Sequence, residues 1–195
     1  MSVHMGSRGR WGTALLTGLL MTCLGATTPT ETKTEGGTET RPPHVVKADF
    51  LLRFLDYIES PALAQTAPDE AVVMVIGGSD DVLQALQRAA QGRRVGTHPV
   101  VCRPVAEGET LERVHLLYLG PGTDLLQHPL VKLAQSLPVV LVTDAPRGDP
   151  VGVINFIWTQ DRVRFDVSLE AAERVGLKVS SRILQVAHRV VVGSR

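Results

Sequence analysis

The stretch Ala71-Val72-Val73-Met74-Val75-Ile76-Gly77-Gly78-Ser79-Asp80-Asp81-Val82-Leu83 sets the expected fold class. Six apolar residues in a row predict a strand covered on both faces, the pattern of a parallel sheet. Two glycines close it, and Val82, Leu83, Leu86, Ala89 and Ala90 then recur at helical spacing. Ser79 is placed to cap that helix, with Asp80 and Asp81 complementing the dipole of its first turn.

The same alternation returns on the C-terminal side. Residues 114–119 read as a buried strand, Gly120-Pro121-Gly122 as a turn, 124–136 as a helix and 138–142 as a short strand ending at Thr143-Asp144. Between the two units, 94–105 is β-like and bent near Pro99. Upstream, 45–58 has helical periodicity: Asp49, Arg53 and Asp56 form one polar stripe, and Phe50, Leu51, Phe54, Leu55 and Ile58 surround the rest. Such a helix is buried on more than one side. It is either a central core helix or one shared between a core and a subunit contact, with Asp49 and Arg53 spaced as an i,i+4 pair.

Downstream, 153–158 and 162–167 alternate about Thr159-Gln160-Asp161, the pattern of a β-hairpin. A helix over 169–175 ends at Gly176, and Val179 closes a small strand. Ser180 or Ser181 caps a last helix with apolar positions Ile183, Leu184, Ala187, Val190 and Val191. The expectation is an α/β fold: a single three-layer domain over 44–195 with a mostly parallel sheet, a C-terminal β-hairpin and flanking helices.

The chain starts differently. Arg8 and Arg10 precede an apolar run over 11–26 that gives way to polar residues, which reads as an export signal over 1–26. The run is shorter than the roughly 20 residues of a membrane span. Leu20-Met21-Thr22-Cys23 resembles a lipoprotein box, so Cys23 is either acylated or discarded on cleavage. Residues 27–43, rich in Thr, Glu, Gly and Pro, read as a flexible polar leader. The expected location is the periplasm.

Lys and Arg number 20 against 20 Asp and Glu, and no basic block appears, which argues against a nucleic-acid partner. With Cys23 removed or acylated, Cys102 has no partner within the chain. It is a buried thiol or the site of an intermolecular disulfide.

Catalytic chemistry finds little footing. Gly77, Gly78 and Ser79 lack both the G-x-G-x-x-G spacing and a Walker lysine, and Asp80 and Asp81 would repel a phosphate. The nucleophile elbow G-x-S-x-G is absent. His44, His98, His115, His128 and His188 stand singly, read as surface or cap residues, with His188 at the end of the last helix. Asp144 is a strand-end carboxylate or a turn former. No catalytic residue, metal or cofactor is expected. A small-molecule site at the strand ends, using Gly77, Gly78, Ser79, Gly120 and Asp144, is the alternative to a protein partner.

A family resemblance rests on the order of several segments. These include Val46-Lys47-Ala48-Asp49-Phe50-Leu51-Leu52-Arg53-Phe54, then Val114-His115-Leu116-Leu117-Tyr118-Leu119-Gly120, then Val139-Val140-Leu141-Val142-Thr143-Asp144. The most specific part is Asp161-Arg162-Val163-Arg164-Phe165-Asp166-Val167-Ser168-Leu169, continuing through Ala171-Ala172-Glu173-Arg174-Val175-Gly176-Leu177. Together they resemble the YfiR-like family of periplasmic proteins over nearly all of 44–191. The resemblance implies a dimeric α/β repressor that holds the periplasmic sensory domain of an inner-membrane diguanylate cyclase, or similar sensor, inactive. Loss of repression raises cyclic di-GMP and promotes biofilm formation. The family's disulfide sensitivity has no intramolecular cysteine pair here, and its Phe-Glu-x-Asn stands as Phe165-Asp166-Val167-Ser168.

The expected partner-facing element is 154–168. Arg162, Arg164 and Asp166 fall on one face of a strand, where exposed charges set docking orientation. Phe156 or Trp158 supplies an aromatic anchor, or else both lie in the core.

Overall fold

The computed structural model describes residues 41–145, 148 and 150–193. The expected export signal (1–26), Cys23 and leader residues 27–40 lie outside the described residues. The first helix, α1 (Pro43–Tyr57), opens on Pro43, whose missing N–H costs nothing at a first helical position. Pro43, the last residue of the expected leader, is thus the first of α1. Asp49 pairs with Arg41 at 2.5 Å, not with Arg53 as its spacing suggested.

After β1 (Ile58–Glu59) and the short α2 (Pro61–Ala64), the quoted stretch forms β2 (Val72–Gly77) and α3 (Asp80–Ala89). Ser79 caps α3 by accepting the Val82 N–H at 3.4 Å. The β-like stretch is two strands, β3 (Arg94–Val95) and β4 (His98–Pro104), paired antiparallel across Gly96-Thr97. The bend lies at Gly96, whose φ of 58° suits glycine, and not at Pro99.

Next come β5 (Leu116–Leu119), α4 (Pro129–Ala134) and β6 (Val140–Thr143). The expected helix over 124–136 shrinks to α4 because Pro129 cannot sit inside a helix; it starts one, capped by the His128 side chain. The hairpin β7 (Ile154–Thr159) and β8 (Arg162–Ser168) follows, then α5 (Leu169–Arg174), β9 (Lys178–Val179), α6 (Ser181–Val186) and β10 (Arg189–Val191). Ser180 caps α6. Val190 and Val191 belong to a strand and not to the last helix, because the chain at Ala187 turns extended to run beside β8.

The main sheet runs β10-β8-β7-β6-β5-β2-β4-β3, parallel except for the β7–β8 hairpin and β3. A second ribbon pairs β1 with β9. Alternate residues of the central strands feed two cores. Met74, Ile76, Leu116, Tyr118, Val140 and Val142 pack with α1 and α3. Val75, Leu117, Leu119 and Leu141 pack with Leu130, Val131 and Ala134 of α4. This is the three-layer architecture that continuous apolar runs require. The expected central helix holds: Leu51, Leu52, Phe54 and Leu55 of α1 are buried.

The hairpin turn carries Gln160 and Asp161 at φ 50° and 54°, between the paired residues Thr159 and Arg162. Two-residue turns with both φ positive favour Asn-Gly, and neither residue here is glycine. Gln160→Asn with Asp161→Gly is expected to raise stability by about 1 kcal/mol, read as a higher urea midpoint at unchanged slope.

Candidate functional site

The strand-end crevice is the first place to look, because chain order reverses there: β2 has β4 on one side and β5 on the other. The two loops bounding it touch through backbone. A Cβ on Gly120 would stand 2.6 Å from the Gly78 carbonyl oxygen, and one on Gly78 would stand 2.7 Å from Thr123 Oγ1. The Gly120 N–H also donates to the Gly77 carbonyl at 2.8 Å. Gly77, Gly78 and Gly120 therefore serve loop-to-loop packing, and Ser79 is engaged as a cap.

Asp144, at the carboxyl end of β6, is neither a bare turn former nor an open acid. Its Oδ2 pairs with Lys47 Nζ of α1 and accepts the Tyr118 hydroxyl at 3.0 Å. The Lys47 and Asp144 side chains are 16% and 14% exposed. Burial, and then the neighbouring carboxylate, holds the Tyr118 phenol well above its ordinary pKa, so it remains a donor.

The five hairpin residues divide. Trp158 is 57% exposed, and Arg162 and Arg164 are exposed with no ion pair among the described residues. Phe156, fully buried, sits among Phe50, Phe54 and Tyr118 with ring centroids 5.8–6.2 Å apart. It is a core residue and offers no surface anchor. Asp166 shares a face with the two arginines but is 3% exposed, because β10 lies alongside. It meets His188 Nδ1 at 3.1 Å and accepts from Arg189 Nε at 3.0 Å. His188 thus lies beyond α6 and helps to tie β10 to β8. On the same sheet face Asn155 clasps Ala145, accepting its N–H at 2.9 Å and donating to its carbonyl at 3.2 Å.

The structure also brings together residues that the linear pattern left apart. Phe50, Arg53, Phe54 and Tyr57 of α1, Phe165 of β8, and Arg182, Ile183 and Val186 of α6 line a hollow of about 150 Å³. Its floor is aromatic and its two guanidiniums make no ion pair among the described residues. Phe50, Arg53, Phe54 and Tyr57 recur at spacings of three, one and three, so the helical face was legible; the contribution of α6 was not.

Cys102 is half-buried, its Sγ 3.9 Å from Met74 Sδ, and burial pushes its thiol pKa up to about 11. The thiolate is the reacting form, so at neutral pH disulfide exchange here is slow. The outer edge of β4 is also blunted: Pro104 lacks an N–H, and Gln87 Nε2 donates to the Cys102 carbonyl at 3.1 Å.

Among the described residues no three His, Cys, Asp or Glu side chains gather as a metal site, and no helix is long and apolar enough to cross a membrane. A family model described as YfiR/HmsC-like matches residues 44–188. A comparison with curated proteins finds no match.

Proposed function

From the YfiR/HmsC-like family, to which this chain belongs, we propose that it works as a non-enzymatic periplasmic regulator. It binds and represses the periplasmic sensory domain of an inner-membrane signalling protein, a diguanylate cyclase in the first instance. The export signal over 1–26 delivers it there. The observation that carries the docking site is the tip of the β7–β8 hairpin. Trp158 stands exposed beside a strained turn on one face of the hairpin, and Arg162 and Arg164, with no ion pair among the described residues, stand exposed on the other, so a partner would grip the tip from both sides. Exposed aromatic and arginine residues supply most interface energy, and strain of this kind persists where function retains it.

Deleting the gene is expected to raise cellular cyclic di-GMP, and the wild-type chain to restore it. A chain carrying Trp158→Ala, Arg162→Glu and Arg164→Glu is expected to fold normally yet not to restore it, with partner affinity lower by about thirtyfold or more. Unchanged cyclic di-GMP on deletion would remove the cyclase from this reading.

A second reading, a small-molecule binding protein, is favoured by the hollow under α6. Its volume, about 150 Å³, is below the roughly 300–1,000 Å³ of pockets for drug-sized ligands. One apolar ring with an anionic group suits an aromatic floor and two guanidiniums that make no ion pair among the described residues. Benzoate and its homologues are the probes, and stabilisation that disappears in Arg53→Gln and Arg182→Gln is the expected signature. The two readings combine if such a ligand biases the partner-binding state.

A further inference from the structure

His115 is buried, 3% exposed, where β5 begins between β2 and β6. Its backbone joins both neighbours: its N–H donates to the Val73 carbonyl at 2.9 Å, and its carbonyl accepts the Val140 N–H at 3.0 Å. The ring adds a rung of its own. Nδ1 accepts the Val73 N–H at 3.1 Å, and Nε2 lies 2.8 Å from Thr66 Oγ1. The Thr66 hydroxyl donates to the Ala62 carbonyl at 2.8 Å, so it must accept from the ring. Those partners assign a neutral imidazole with its proton on Nε2.

We propose that His115 is an acid-sensitive latch: a proton on Nδ1 turns an acceptor into a donor facing the Val73 N–H, breaks that rung and loosens the connection over 61–71. The strand N–H would be left buried without a partner, and the ring would carry a charge out of contact with water. The connection's residues are largely exposed, and Thr66 is the side chain that ties it to His115. Beyond Thr66 it is held by Leu63 packed on the core and by surface contacts of Asp69 with Arg94 at 2.8 Å and of Glu70 with His98 and Arg113. Ser60, which donates to the Pro138 carbonyl at 2.8 Å, anchors its start and is untouched by the proton.

The charged surroundings are mixed. His98, whose Nδ1 lies 3.1 Å from the Glu70 carbonyl, adds repulsion once charged, and the Glu70 carboxylate opposes it. Arg113 lies 3.5 Å from Glu70 and weakens that opposition. Burial is the largest influence, and it holds the His115 pKa below the ordinary histidine value. With the closed form the poorer proton acceptor, the latch contributes its full stability above about pH 6.5. That contribution falls as pH drops toward the closed-state pKa and levels off below it. A domain expected outside the cytoplasm meets the pH of the medium.

The test is amide hydrogen exchange of the chain at about pH 7.5 and about pH 5, corrected for intrinsic rates, beside His115→Asn. Asparagine keeps an acceptor near the Nδ1 position and does not titrate. In the wild type the opening constant at Val73 and over 62–66 is expected to rise by up to about tenfold per pH unit below about pH 6.5, reversibly. In H115N it is expected to stay flat, and His98→Gln is expected to leave the wild-type slope in place. Equal slopes in wild type and H115N would overturn the latch. Should H115N not fold, the wild-type ring titration followed by NMR decides. A midpoint below the ordinary value, moving in step with the Val73 amide, supports the latch; an ordinary midpoint or an indifferent Val73 amide overturns it.

Discussion

Replacing Asp144 with alanine is expected to cost about 3 kcal/mol of stability, the loss that follows when one partner of a mostly buried ion pair is removed. Lys47 would keep its charge in a place where its side chain is 16% exposed, and the Tyr118 hydroxyl would lose its acceptor. The urea midpoint should fall by about 1 to 2 M with little change in slope. Asp144→Asn with Lys47→Met, which keeps an acceptor for Tyr118 and removes both charges, is expected to recover most of the loss. A cost below about 1 kcal/mol for the alanine variant would mean the pair behaves as a solvated surface contact. The pair matters beyond stability. It joins the start of α1 to the end of β6, and α1 carries the Phe50 and Arg53 that line the hollow.

What the sequence made legible follows from where each signal originates. The central strands read correctly because both faces are buried, so every residue in 72–76 is apolar whatever its neighbours. The hairpin read correctly because its pairing is local. The C-terminal strand did not. Ile183, Leu184, Ala187, Val190 and Val191 keep helical spacing, yet Arg189 and Val190 pair with Asp166 and Val167. A parallel pairing formed through an intervening helix leaves no mark on a local pattern. The misplacement of Asp166 follows from the same contact: alternation assigned its face correctly, and only the arrival of His188 and Arg189 makes that position buried. The glycine pair was similar. Gly78 read as the close of a strand and Gly120 as part of a turn, whereas their shared role appears when the fold brings the two loops together.

His115 shows the opposite limit. A lone histidine before a strand carries no sequence signal that separates a surface residue from a ring standing in for a backbone carbonyl. The distinction comes from Thr66 and Val73, which approach it from two separate segments. A histidine read as an exposed or capping residue proved to be the most buried polar junction of the central sheet's amino end.

Phe156 and Trp158 are two residues apart on β7 and point to the same side of the sheet, yet they are expected to fail in different ways when truncated. Phe156→Ala empties the centre of a ring cluster formed with Phe50, Phe54 and Tyr118, and is expected to cost about 4 kcal/mol. The chain should melt roughly 10 °C lower, and its regulatory activity should fall with the amount of folded protein. Trp158→Ala removes a side chain already 57% exposed and is expected to change stability by less than about 1 kcal/mol. Its effect should fall on partner binding at normal protein levels. Thermal melts of both variants, set beside their periplasmic abundance and cellular cyclic di-GMP, separate the two outcomes. If Trp158→Ala lowers the melting temperature as far as Phe156→Ala, the tryptophan is a packing residue and the docking surface must be sought elsewhere. If both melts behave as expected and Trp158→Ala still represses fully, the hairpin tip is a solvated end of the sheet and Arg162 and Arg164 face nothing but water.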